Sequence, residues 1–291
     1  MKQVKISLSR YFSFVKFSHT VFALPFAISG YFLAISREEY SFSLRILLLV
    51  VLCMVFARNA AMGFNRYADE KFDAMNPRTA SREIPVGIIS KKSALIFVVI
   101  NSILFIISAG LINRLTLILS PVALFIILGY SLTKRFTVLC HFILGLSLSL
   151  APTGAYISVT GRFDLLPVIY SFIVLTWVSG FDIIYSLQDD EFDRSMNLHS
   201  IPALTGRKKG LSISMILHVL TILFVIAAGI AGRSGILFWA GAAIFILLLI
   251  YQHIIVRPHD ISRVNLAFAT TNGIASIIFA IFVITDLFVK I

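Results

Sequence analysis

Long apolar runs separated by short polar connections constrain the fold of this chain more than any other feature. A helix needs about 20 predominantly apolar residues to cross the hydrocarbon core of a bilayer. We expect such helices at 18–36, 44–64, 94–112, 115–132, 137–158, 165–186, 211–232, 236–256 and 264–286. Only 13% of the residues are charged, against about 25% in soluble domains. The sequence therefore predicts an all-α integral membrane protein with nine transmembrane helices.

The Lys and Arg residues fall mainly on one side of this predicted arrangement. Of the 25 such residues, 18 lie on the side of the N-terminus, six lie on the opposite side, and Arg58 lies within a span. Because cytoplasmic loops are enriched in Lys and Arg, we expect the N-terminus and the charged loops in the cytoplasm and the C-terminus outside. This distribution explains the net charge of +11 without a nucleic-acid partner, and no obligate protein partner is evident. The first apolar run lacks a following small-residue cleavage site, so we expect a retained span.

Two strongly polar segments, 65–85 and 182–202, interrupt the apolar pattern. Each contains three polar residues spaced by four, which lie on one face if the helix continues. The two sets stand 120 residues apart: Asn65, Asp69 and Asp73, then Tyr185, Asp189 and Asp193. Each segment ends in Ile-Pro and follows an even-numbered span. This repetition predicts an internal duplication within a single domain, 1–291, with two parallel four-helix halves followed by a ninth helix.

The carboxylates of the two segments would repel one another if they converged, so they require cations. A set of oxygen ligands without His or Cys favours a hard ion such as Mg²⁺ or Ca²⁺. Mg²⁺ usually takes one or two carboxylates and completes its shell with water and substrate phosphate. Neighbouring basic residues suit a diphosphate clamp, namely Arg66, Lys71, Arg78 and Arg82. The alternative, solvated loops whose charges only set topology, does not explain the two registered copies.

The residues of these segments resemble the UbiA superfamily of membrane prenyltransferases. Its two Asp-rich motifs are similar to "NRYADEKFDAMNPRTASREIP" and "DIIYSLQDDEFDRSMNLHSIPALTG". "KFSHTVFALPFA" near the start and "YSLTKR" after the fourth predicted span extend the resemblance over nearly the whole chain. The 4-hydroxybenzoate polyprenyltransferases are the most similar branch. "NR" in place of "ND" resembles the subgroup associated with the futalosine-derived menaquinone route.

The resemblance implies a helical bundle around a central cavity that opens laterally to lipid. It implies Mg²⁺ bound at the metal positions of the family, which here are Asn65, Asp69, Asp73, Asp189 and Asp193. The diphosphate positions would be Arg66, Arg78, Arg82, Lys134 and Arg135. Arg66 stands where many members carry an Asp, which removes a possible metal ligand and adds a cation. Asp182 and Tyr185 match the D-x-x-Y that opens the second motif, and either could polarise a phenol or accept its proton.

The implied reaction transfers a polyprenyl group from an isoprenyl diphosphate to an aromatic acid such as 4-hydroxybenzoate, for quinone biosynthesis in a bacterial inner membrane. Arg58 could bind the carboxylate of the acid or extend to the interface, and His19 could contact the substrate or only the interface. His141 is interpreted as a packing or interface residue, and Asn272 as a polar contact between helices. Two alternatives stay open: a dihydroxynaphthoate acceptor with the same chemistry, and a cation-coupled transporter.

Overall fold

The computed structural model of this protein describes Tyr11, Phe14, Val15, residues 22–37 and residues 39–289. We number its α-helices in chain order. They are α1 (Leu24–Ile35), α2 (Leu44–Ala68), α3 (Glu70–Met75), α4 (Lys91–Gly110), α5 (Arg114–Thr133), α6 (Cys140–Thr160), α7 (Leu165–Ser186), α8 (Asp190–Ser195), α9 (Ile201–Thr205), α10 (Arg207–Ala231), α11 (Ile236–Ile255) and α12 (Asn272–Val289). A 3₁₀ turn, Leu187–Asp189, joins α7 to α8, and a π-helical turn, Leu266–Thr271, leads into α12.

Eight helical segments of the described chain are long and apolar enough to cross a membrane. When the π-helical turn is counted with α12, the ends of the long helices lie within four residues of those expected for the second to ninth spans. The expected first span, 18–36, begins outside the described residues, and its described part is the 12-residue helix α1. The all-helical membrane fold is thus confirmed, whereas the count of nine spans is not. Large apolar side chains such as Phe125 and Leu247 are exposed on these helices, which suits contact with lipid tails rather than with water.

Short helical hairpins form where a polar side chain can cap the next helix. Asn113 separates α4 from α5, and its Oδ1 accepts the backbone N–H of Thr116 at 2.9 Å. The Thr116 hydroxyl faces back toward the Asn113 N–H, which completes a capping box. The amide of Asn113 also donates to the backbone carbonyl of Ile157 on α6 at 2.9 Å. One residue therefore caps the start of α5 and fixes it against α6.

The core lies where α1, α6, α7, α10, α11 and α12 meet. Aromatic rings fill it, with Trp177 of α7 packed against Phe26, Phe181 and Phe245. The Trp177 indole N–H donates to Asn272 Oδ1 at 3.0 Å, and the amide of Gln252 donates to the same oxygen at 2.7 Å. These bonds join α7, α11 and α12, so the interpretation of Asn272 as a contact between helices is confirmed.

Both polar segments break their helix at the central Asp. Helix α2 ends at Ala68, and Asp69 has φ −94° and ψ 11° before α3 begins. Asp189, 120 residues later, has φ −114° and ψ 7° before α8 begins. Each helix is therefore interrupted at the middle residue of its set of three, and the residues on both sides of the turn still face the same space.

Candidate active site

The two polar segments and the α5–α6 connection enclose a cavity of about 300 Å³. We call it the polar cavity. The predicted site residues of the described chain all line it: Arg58, Asn65, Arg66, Asp69, Asp73, Arg78, Arg82, Lys134, Arg135, Asp182, Tyr185, Asp189 and Asp193. His19 lies outside the described residues. Residues far apart in sequence thus meet in one space, as the repeated spacing suggested.

The two segments are joined to each other by Arg78. Its guanidinium donates hydrogen bonds to both oxygens of Asp189, from Nε to Oδ1 at 2.8 Å and from Nη2 to Oδ2. Nη1 of Arg78 donates to the Tyr185 hydroxyl at 3.0 Å, and the guanidinium lies 5.3 Å from the centre of that ring. The Asn76 amide donates to Asp189 Oδ1 at 2.9 Å. The first segment therefore supplies four donor groups to the second.

The other carboxylates of the cavity are also paired with basic residues. Arg82 binds Asp73 at 2.7 Å, Lys134 binds Asp193 at 2.7 Å, and Arg135 binds Asp69 at 3.1 Å. No group of three or more Asp, Glu, His or Cys side chains among the described residues is close enough to hold a metal ion. The cations that the sequence predicts beside these acids are thus basic side chains in this structure, one each for Asp69, Asp73, Asp189 and Asp193.

Burial shifts the protonation equilibria of these groups. It raises the pKa of Asp69 above its usual value, and the hydrogen bond from Arg135 offsets only part of that effect. Burial disfavours the charged form of Lys134, but the Asp193 carboxylate outweighs it and raises the Lys134 pKa. In the same way Asp189 raises the pKa of Arg78 against the effect of burial. Lys134 and Arg78 therefore stay charged beside their carboxylates.

Arg66 differs from the other basic residues of the polar cavity. It is only 3% exposed, and its Nε and Nη1 are buried without a hydrogen-bond partner in the described part of the chain. A buried cationic group without partners is costly. Arg66 is therefore available to an anion that enters the cavity.

A second, mostly apolar cavity of about 470 Å³ adjoins the polar one. Helices α1, α2, α4, α5, α6 and α7 line it with side chains such as Cys53 and Ala123. Arg58, Met62 and Tyr130 belong to the walls of both cavities. A charged compartment and an apolar compartment within the bundle thus share a boundary at Arg58.

The sequence interpretation missed His141 as a site residue. His141 lines the polar cavity, and its Nδ1 lies 2.7 Å from Asp182 Oδ2. Phe268 was missed as well: the π-helical turn brings its ring 4.0 Å from that of Tyr185, measured between centres. A usable signal for His141 was its place on the first turn after the basic pair Lys134 and Arg135, at the start of a span.

Comparisons with known proteins identify the family of this chain. The pattern of the UbiA prenyltransferase family matches residues 23–281. The 4-hydroxybenzoate octaprenyltransferase of Nitrosospira multiformis is 30% identical over 237 residues, 81% of each chain. That of Aliivibrio fischeri is 31% identical over 238 residues, 80% of this chain and 81% of its own.

Solved structures share the fold. An apo UbiA homolog from Aeropyrum pernix K1 superposes with a TM-score of 0.83 at 35% identity, covering 92% of this chain and 98% of its own. A UbiA homolog from Archaeoglobus fulgidus bound to DMAPP and Mg²⁺ has a TM-score of 0.77 at 19% identity, covering 96% and 99%. By sequence and by fold, the chain belongs to the UbiA prenyltransferase family.

Proposed function

We propose that the protein transfers a polyprenyl group from an isoprenyl diphosphate to an aromatic acid, with release of diphosphate, in bacterial quinone biosynthesis. One observation carries the proposal: the polar cavity, with both acidic segments and their basic partners, adjoins an apolar cavity inside a membrane bundle. A polyprenyl diphosphate has the same division, with a highly charged head and an apolar tail. The relatives named above support an aromatic acid as acceptor.

The basic residues of the polar cavity bind the diphosphate in this proposal. They are Arg66, Arg78, Arg82, Lys134 and Arg135. Arg66 has buried donors ready for phosphate oxygens, and an Arg fork can bind them in pairs. The other four must first exchange a carboxylate for a phosphate oxygen. That exchange releases the carboxylates at the moment when the substrate arrives.

The released oxygen ligands suit Mg²⁺. Carboxylate and amide oxygens are the donors that hard cations prefer, and this chain supplies them from both segments: Asn65, Asp69, Asp73, Asp189 and Asp193. When bound, Mg²⁺ neutralises charge on the leaving diphosphate. The protein's own cations add to that effect. We further propose that the two segments are copies of one ancestral motif, which the matching helix breaks at Asp69 and Asp189 support.

The remaining residues of the polar cavity serve the acceptor. The allylic C–O bond breaks, and its electron pair leaves with the diphosphate. A ring carbon ortho to the hydroxyl of the acceptor forms the new C–C bond, and the ring proton then passes to Asp182 or Tyr185. Arg58 binds the carboxylate of the acid. The rings of Tyr185 and Phe268 keep water out and can stabilise the allylic cation through their faces.

The acceptor has two candidates of the same class. Hydroxybenzoate is supported by the named relatives, and dihydroxynaphthoate by Arg66 in place of the usual acid. Both offer a carboxylate to Arg58 and a hydroxyl to Asp182. We place the protein in a bacterial inner membrane with the polar cavity toward the cytoplasm, which the 18 Lys and Arg residues on that side support. Membership of a prenyltransferase family leaves no support for the transporter alternative.

Release of diphosphate from purified protein in lipid tests the proposal. A polyprenyl diphosphate is supplied with 4-hydroxybenzoate or with 1,4-dihydroxy-6-naphthoate, each with and without Mg²⁺. We expect prenylation of one acceptor, dependent on Mg²⁺ and lost in Asp69→Ala and Asp189→Ala. Asp260→Ala, which changes an exposed loop acid bonded to Ser262, is the matched control and retains activity. Absence of product from both acceptors would reject the proposed reaction.

A further inference from the structure

The tautomer of His141 follows from its two hydrogen bonds. The backbone N–H of Ile201 lies 3.2 Å from Nε2 of His141, and a backbone N–H can only donate. Nε2 therefore presents its lone pair, and the proton of the neutral ring is on Nδ1. Nδ1–H then donates to Asp182 Oδ2 at 2.7 Å. The ring is a bridge from a fixed backbone amide to a carboxylate of the polar cavity.

His141 and Asp182 differ in how far their side chains are exposed, and this difference indicates a different role for each. The His141 side chain is 2% exposed, whereas that of Asp182 is 21% exposed and lines the polar cavity. Both ring nitrogens of His141 are occupied, so the ring has no free position for a substrate proton. Asp182 retains surface toward the cavity for a further hydrogen bond. Asp182 can therefore contact the substrate, and His141 orients Asp182.

The backbone that holds His141 also holds the opposite side of the cavity. Ser200, next to Ile201, donates from its hydroxyl to Asp193 Oδ2 at 2.7 Å. The backbone N–H of His199 donates to the carbonyl of Lys134 at 2.7 Å, and Lys134 in turn binds Asp193. One short connection thus fixes Asp193 directly and Asp182 through His141. The distance between these two acids depends on the imidazole.

We propose that His141 is a positioning residue that orients Asp182 to accept a hydrogen bond from the hydroxyl of the aromatic acceptor. This inference rests on the proposed function. A hydroxyl that donates to a correctly placed carboxylate gains electron density on its ring, which favours attack by the ortho carbon. The hydrogen bonds of the His141 ring run to Asp182 and Ile201 and not to the basic residues that bind the diphosphate. Loss of the imidazole therefore affects the acceptor and leaves the donor bound.

Two substitutions separate this role from simple packing. His141→Leu fills the space but cannot donate to Asp182. His141→Asn places an amide N–H near the position of Nδ1 and gives up only the bond from Ile201. Thr176→Val is the matched control, because it removes a buried hydrogen bond to Thr221 between α7 and α10 away from both cavities.

The experiment measures kcat and KM for each substrate, binding of a non-reactive thiolo-diphosphate analogue, and thermal stability. We expect His141→Leu to reduce kcat/KM for the aromatic acid by about 10- to 100-fold, as does loss of a residue that orients a metal ligand through a hydrogen bond. Analogue binding stays as in the parent protein, and His141→Asn recovers most of the loss. In an Asp182→Asn background, His141→Leu has no further effect on transfer, because the two changes act on one interaction.

Several results would overturn the inference. Equal losses in His141→Leu and His141→Asn, together with weaker analogue binding, would mean a structural role. Unchanged kinetics in His141→Leu would mean no role. If His141→Leu does not fold, the comparison of His141→Asn with the parent decides, because a large acceptor-specific loss there contradicts the assigned donor. A parent protein that prenylates no aromatic acid would reject the proposed function itself, which distinguishes that failure from failure of the inference.

Discussion

The ion pair between Arg78 and Asp189 predicts an unusual pattern of stability in the substrate-free protein. The Asp189 side chain is only 10% exposed and that of Arg78 is 31% exposed. Arg78→Leu removes the forked partner and leaves the carboxylate with the Asn76 amide. Loss of one partner of a buried pair destabilises by about 3–5 kcal/mol. Because Arg78 is partly exposed and Asn76 remains, we expect the lower end, about 3 kcal/mol.

The double variant Arg78→Leu/Asp189→Leu refines this prediction. Replacement of both partners by apolar side chains removes the unpaired charge, so we expect the double variant to recover most of the lost stability. Unfolding can be followed by the reaction of a thiol dye with Cys53 and Cys140, both free cysteines. Arg82→Leu, the equivalent change in the pair with Asp73, provides a comparison in the other segment.

The effect of Mg²⁺ on the stability of the same variants provides a second test. In Arg78→Leu no guanidinium occupies the oxygens of Asp189, so Mg²⁺ can bind them without competition. We therefore expect Mg²⁺ to stabilise this variant more than the parent protein by mass action. A single variant as stable as the parent, or a double variant less stable than the single one, would refute the idea that the pair neutralises the free site. Equal Mg²⁺ effects on parent and single variant would refute the exchange of partners.

Three further predictions concern single residues. Asp286 accepts hydrogen bonds from the backbone N–H groups of Gly235 and Phe238 at the start of α11. Asp286→Ala should therefore lower the free energy of unfolding by about 1.5–3 kcal/mol. The variant should unfold at a lower temperature and keep normal activity per folded molecule. Arg58→Gln should raise KM for the aromatic acid but not for its methyl ester, and equal changes for both would exclude a carboxylate contact. Asp69→Asn removes a buried acid of raised pKa. The parent protein loses stability as the pH rises through that pKa, because the buried carboxylate becomes charged. The variant should therefore be more stable relative to the parent above that pKa than below it. Unfolding temperatures of the two proteins that run parallel from pH 4 to 8 would contradict this.

The helices could be predicted from sequence because the bilayer sets their length. Spans such as α7, Leu165–Ser186, match the expected range at both ends. The polar residues of the site could also be found, since charge in so apolar a chain stands out and the spacing repeats. The helix breaks at Asp69 and Asp189 could not, because a spacing of four residues is the same whether the helix continues or turns.

Contacts between distant segments were also beyond the sequence. His141 and Asp182 are 41 residues apart on neighbouring helices, and no local pattern joins them. Likewise, the basic residues were correctly expected beside the acids, but not their one-to-one pairing, which depends on the packing of both segments. Only the tertiary structure shows that Arg78 crosses from the first segment to Asp189 in the second.

Photo-crosslinking would test the central claim most directly, namely that one substrate occupies the polar and apolar cavities together. A prenyl diphosphate with a diazirine in its tail would be bound in the presence of Mg²⁺, irradiated, and its attachment mapped by mass spectrometry. The account predicts labelling of apolar-cavity residues such as Cys53 and Ala123, abolished by excess inorganic diphosphate and weakened in Arg78→Leu. Labelling mainly at lipid-facing residues such as Phe125, unaffected by diphosphate, would contradict it.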